Sequence, residues 1–124
     1  MAPNFKLLSL IIFIGLFLRG EDAASCTLRD LSISQQGTGN WAHGMPELKV
    51  SVTNNCECSQ SQVKLNCKGF QTYKAEDPSI LSISGDVCLL KSGQPISPKE
   101  TVQFLYAWDP QFPFQPLSSV SQCH

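Results

Sequence analysis

No run of lysine or arginine interrupts these 124 residues, and the net charge is only −1. A chain so balanced carries no electrostatic footprint for nucleic acid or another polyanion. Gly-x-Ser-x-Gly, His-Glu-x-x-His, a phosphate-cradling glycine loop and Asp-x-Asp are all missing, and acyl, zinc, phosphoryl and sugar-nucleotide chemistry each want one of them. Asp30, Glu57, Asp86 and Asp109 each sit in or beside turn-rich sequence, where solvation or capping is the ordinary role of a carboxylate. No catalytic residue, metal site or cofactor is therefore expected, and the chain reads as a non-enzyme. There is no Asn-x-Ser/Thr sequon, only the rare cysteine variant at Asn54-Asn55-Cys56. A long amphipathic run with helix caps is missing too, which excludes a helical bundle.

Apolar residues run together only once, in "LLSLIIFIGLFL" from Leu7 to Leu18, with a single serine and no charge. That is the length of a signal-peptide hydrophobic region and too short to cross a bilayer of roughly 30 Å at 1.5 Å per residue. Ala23 and Ser25 occupy the −3 and −1 positions of a cleavage before Cys26, with cleavage after Gly20 as the other candidate. Residues 1–25 are thus expected to be a removed signal peptide, and residues 26–124 a single secreted, extracellular domain with no membrane span. Removing the first 25 residues takes two cations and two anions, leaving seven against eight.

All six cysteines, Cys26, Cys56, Cys58, Cys67, Cys88 and Cys123, fall in that domain. A zinc site reads as two close pairs of cysteine or histidine two to four residues apart. Cys56 and Cys58 have one residue between them, no second such pair exists, and His43 and His124 are isolated. A redox motif wants Cys-x-x-Cys at a helix N-terminus, and Glu57 between the two sulfurs opposes a thiolate. The remaining reading is three disulfides of open connectivity. Cys56 and Cys58 are expected to pair elsewhere, since neighbours at that spacing rarely meet the bridging geometry. In so short a domain a bridge worth about 2 to 4 kcal/mol is a large part of net stability.

Hydrophobic residues alternate almost everywhere. Leu48, Val50 and Val52 share one face of "ELKVSVTN", Leu31 and Ile33 one face of "DLSIS", and Val63, Leu65 and Cys67 one face of "QVKLNC". Val102, Phe104, Tyr106 and Trp108 do the same in "ETVQFLYAW", while "SILSIS", "DVCLL" and "PLSSVSQC" are short enough to be further strands. Turn chemistry separates them in "QGTGN", "AEDP", "SGD", "KSGQPISP" and "DPQFPFQP". The pattern predicts an all-β fold, an antiparallel β-sandwich of about seven or eight short strands stapled by disulfides. Trp41, in a Gly/Asn-rich stretch, is either a plug over one end of the core or an exposed anchor. Phe112 and Phe114 turn the same way, either into the core or out as an apolar patch. His43 reads as a loop histidine.

In order, "CTLRDLSISQ", "GMP", "VTNNC", "VKLNCKGF", Pro78, "DVCLLKSGQPISP", "VQFLYAW" and "PLSSVSQC" resemble the tapetum determinant family of small secreted plant proteins, from Cys26 to Cys123. The chain departs at Cys67-Lys68-Gly69-Phe70, where the family usually has Cys-Gly-Trp-Phe, and at Leu48, where an aromatic is usual. The resemblance implies an apoplastic signal that binds the leucine-rich-repeat ectodomain of a receptor kinase and directs anther cell fate. Under that reading Trp41, Phe112 and Phe114 are the partner-binding candidates. Two alternatives stand beside it. A cell-wall carbohydrate-binding module would need exposed coplanar rings, and a carrier of a small apolar ligand would need a cavity between the sheets.

Overall fold

A computed structural model describes residues 26–123; the expected signal peptide and His124 lie outside the described residues. Seven strands follow one another, β1 (Leu31–Ala42), β2 (Met45–Asn54), β3 (Ser59–Asn66), β4 (Leu81–Ser84), β5 (Val87–Leu90), β6 (Thr101–Ala107) and β7 (Gln115–Gln122). Single turns of 3-10 helix occupy Leu28–Asp30 and Lys91–Gly93. The strands form two antiparallel sheets, β1-β2-β6 and β4-β5-β3-β7.

Alternation in the sequence becomes rows across the first sheet. Ile33 stands beside Val52 and Val52 beside Val102; Val50 pairs with Phe104, and Leu48 with Tyr106. Val50, Val52 and Tyr106 are completely buried, as are Val63, Leu65, Cys88 and Leu90 of the second sheet. Each such side chain contributes roughly 1.5 to 3 kcal/mol of transfer free energy. Sliding one strand by a residue would turn its whole apolar set to water, so the register is firmly specified.

The stretch "QGTGN" is not the turn its composition suggests. It lies inside β1, where the pairing shifts between Gly37 and Trp41 and Gly39 takes a φ of 91°. A bulge consumes the glycine signal here. The chain reverses instead at His43 and Gly44, with φ values of 52° and 80°, the two-residue loop that matches strand twist.

β6 is an edge strand of the first sheet, and the segment after β3 covers its open side. The Leu105 amide donates to Glu76 Oε2 at 2.6 Å and the Ala107 amide to Thr72 Oγ1 at 2.9 Å. The Tyr73 amide donates back to the Ala107 carbonyl at 3.0 Å. Covered in this way, the edge cannot template further strand pairing.

Candidate functional site

At the end of the sandwich where β1 turns into β2, rings gather. Phe70, Phe112 and Phe114 pack on one another and on Tyr106 with centroids 4.8 to 5.6 Å apart, mostly edge to face. Gln35 Nε2 donates to the Phe112 carbonyl at 2.6 Å, the Tyr106 hydroxyl donates to Gln35 Oε1 at 2.5 Å, and the Phe112 amide donates to the Tyr106 oxygen at 2.9 Å. Burial pushes the Tyr106 phenol above its ordinary pKa. Phe114 is 7% exposed and Phe112 only partly exposed. The pair therefore closes the core, and Phe114 drops out as a partner-binding residue. Trp41 is the opposite case: it is 68% exposed on the β1–β2 hairpin and plugs nothing. Trp108 lies just past β6, only partly buried, and stacks on Tyr73 with centroids 5.3 Å apart. His43 lies 4.9 Å from the other neighbour of that ladder, the same Tyr73, itself 49% exposed.

One carboxylate ties the hairpin to the covering segment. Glu47, almost wholly buried, accepts from Thr38 Oγ1 at 2.6 Å and Asn40 Nδ2 at 3.2 Å, and pairs with Lys74 Nζ at 3.5 Å. The Thr38 hydroxyl first, then the Asn40 amide and the Lys74 charge, hold its pKa below the ordinary glutamate range. Thr38 and Asn40 belong to the bulged part of β1, and Lys74 is next to Tyr73, so Glu47 holds Trp41, His43 and Tyr73 on one braced platform. Beside it, Phe70, Tyr73, Lys74, Pro78, Leu81 and Ile83 line an open cleft of about 540 Å³.

The opposite end carries the "NNCECSQ" knuckle. Cys26 bonds to Cys56 and Cys58 to Cys123, so the two close neighbours do pair elsewhere; Cys67 bonds to Cys88 inside the second sheet. The buried Asn54 side chain donates to the carbonyls of Cys58 and Ile96 at 2.9 and 2.8 Å, and accepts from the Cys56 amide and Gln60 Nε2 at 3.0 and 2.9 Å. Ser119 Oγ completes the network by donating to Gln60 Oε1 at 2.6 Å. Sulfurs of Cys26, Cys58 and Cys123 lie close enough to share an ion, as do those of Cys26 and Cys56 beside Asp30. Every one of them is bridged, and a bridged sulfur has no thiolate to offer a metal.

A family model described as the C-terminal part of tapetum determinant 1 matches residues 27–124. The chain belongs to the tapetum determinant family. Among curated relatives, it is 29% identical over 105 residues to TPD1 protein homolog 1 of Arabidopsis thaliana, covering 82% of this chain and 56% of that protein. It is 36% identical over 87 residues to an uncharacterized Arabidopsis thaliana protein, 67% of each chain. To TPD1 protein homolog 1B of Oryza sativa subsp. japonica it is 29% identical over 85 residues, 67% of this chain and 50% of the relative. The chain thus spans about half to two thirds of the length of these relatives. No solved structure matches.

Within this tapetum determinant domain, three residues that hold the ends together give little sequence signal. Glu47 reads as the wet side of a strand, Tyr73 lies in an aperiodic segment, and Asn54 is only the last residue of the alternating run "ELKVSVTN".

Proposed function

We propose that this tapetum determinant domain is a secreted, non-enzymatic signalling ligand, recognised in the apoplast by the leucine-rich-repeat ectodomain of a plant receptor kinase in cell-fate specification. The observation that carries the reading is the family match over residues 27–124, which takes in nearly the whole described domain. The geometry supports it in a second way. A ligand of this kind needs rigid aromatic anchors that reach solvent, and Trp41 and Tyr73 are such rings on a braced hairpin end. Trp41 stays as the anchor, joined by Tyr73 and His43. A sugar-binding platform asks for rings side by side, whereas Tyr73 and Trp108 lie on one another at 28°.

The test is equilibrium binding of the oxidised domain to a panel of plant leucine-rich-repeat ectodomains, with a reduced and alkylated sample as control. Saturable binding to one ectodomain, lost on reduction and weakened at least tenfold by Trp41→Ala, is the expected outcome. Absence of binding across the panel would remove the receptor reading.

A further inference from the structure

We infer that the paired bridges of the knuckle form a thiol–disulfide exchange site, open to low-molecular-weight thiols, through which Cys26 changes partner from Cys56 to Cys58. The sulfurs of Cys26, Cys58 and Cys123 all lie within 4.8 Å of one another, although Cys26 belongs to one bridge and the other two form the next. All three are partly exposed, whereas Cys67 and Cys88 are 2% and 0% exposed. The Cys56 sulfur is outside that close group. Two bridges this near, at the solvent-facing end, differ from the remote and buried third.

The chemistry balances without an oxidant. A small thiolate attacks the Cys123 sulfur, forms a mixed disulfide there and expels Cys58 as a thiolate. Cys58 then attacks the Cys26 sulfur, forming Cys26–Cys58 and expelling Cys56, which takes a proton from water. In each step one S–S bond forms as one breaks. The product no longer ties Cys123 to the knuckle. β7 pairs with β3 alone, so its C-terminal end loses its only covalent anchor among the described residues. Asp30 restrains the second step, since its carboxylate lies within 4.8 Å of both the Cys26 and Cys56 sulfurs and opposes the negative charge that collects there.

The experiment is to oxidise Cys123→Ser and Cys26→Ser domains, incubate them for hours, block free thiols under native conditions and map the blocked cysteine by peptide mass spectrometry. In Cys123→Ser the thiol starts on Cys58 and is expected to move to Cys56 in about a tenth of molecules or more, the share held by a pairing up to tenfold less favourable. In Cys26→Ser it stays on Cys56. A thiol that remains wholly on Cys58, or that spreads equally in both variants, overturns the inference. Because either variant could fail to fold, the unaltered domain is also treated with a catalytic trace of reduced glutathione. Peptides joined Cys26–Cys58 should then form before any new link to Cys67 or Cys88, and roughly twofold to fourfold faster in Asp30→Asn, the effect of one charge at about 5 Å in water. Scrambling of the buried bridge at the same rate would equally sink the idea.

Discussion

The two ends of this sandwich are held by different physics. At the knuckle end, directed bonds fix the chain: two bridges leave Cys56 and Cys58, and Asn54 satisfies four partners at 2.8 to 3.0 Å. At the hairpin end no cysteine lies in the turn, and the one bridge near the rings, Cys67–Cys88, meets them through the Cys67 carbonyl, which accepts from the Phe70 amide at 2.9 Å. Packed rings hold most of it, with Phe70, Phe112 and Phe114 in mutual contact, Tyr106 against Phe70 and Phe114, and a few hydrogen bonds of Gln35 and Glu47 bracing the loops. Directed bonds fail when chemistry changes at constant shape, and packed rings fail when shape changes at constant chemistry. The end held by covalent links can stay small and polar, which leaves the other free to expose aromatic surface.

The sharpest way to break that contrast is an isosteric change at the knuckle. Asn54→Asp keeps the shape and removes both donors, so a carboxylate would face the carbonyls of Cys58 and Ile96 with no water to relieve it. A loss of about 3 to 5 kcal/mol is expected, read as the denaturant midpoint of the oxidised domain. A loss below about 1 kcal/mol would mean the network carries little of the stability. The matching change at the ring end is Phe114→Leu. Leucine fills most of the same space, and the expected cost is only about 1 to 1.5 kcal/mol. If Phe114→Leu proved the more damaging, the division of labour between the ends would be reversed.

Much of this was legible in the sequence. Period-two runs placed β1, β2, β3 and β6 and the inward faces of the last three, because one buried face forces alternation, and short runs between turn signals placed the other three strands. The knuckle cysteines were read correctly as partners of distant residues. What stayed hidden rests on long-range contact. Phe112 and Phe114 were visibly on one face, but whether that face was core depended on Tyr106 and on Phe70 meeting them, the latter from 42 or more residues away in the chain. Trp41 looked like a loop residue because the glycines of "QGTGN" signal a turn, and only the β1–β2 register shows that they form a bulge. Tyr73 has no periodic neighbours at all, and its role comes from stacking between His43 and Trp108.

The brace can be probed by pH. Glu47 has its pKa held below the usual range by Thr38, Asn40 and Lys74, so the unfolded chain binds its proton more readily than the folded one. Its contribution is complete above the unfolded pKa of about 4.3 and is lost as pH falls through the lower folded value. Glu47→Gln should therefore lower the denaturant midpoint at neutral pH by less than either core change. The gap from the unaltered domain should narrow as pH drops below about 4. A gap that stays constant down to about pH 3 would show that the carboxylate acts only through its shape.

The smallest effect on stability belongs to the residue with the largest proposed effect on function. Trp41 is 68% exposed, so Trp41→Ala should change folding stability by no more than about 0.5 kcal/mol. Its indole nonetheless stands on a hairpin whose turn, bulge and neighbouring loop are fixed by Gly44, Gly39 and Glu47. An anchor kept out of the core and held still loses little entropy on docking, which is the condition under which one side chain can carry much of an interface. If the variant folds with an unchanged midpoint and loses at least tenfold in affinity for whichever ectodomain of the panel the unaltered domain binds, the ring end is the contact surface and the knuckle end its frame. If the midpoint instead falls by more than about 1 kcal/mol, Trp41 supports the fold in solution, and the contact surface must be sought around Tyr73 and the cleft beside it.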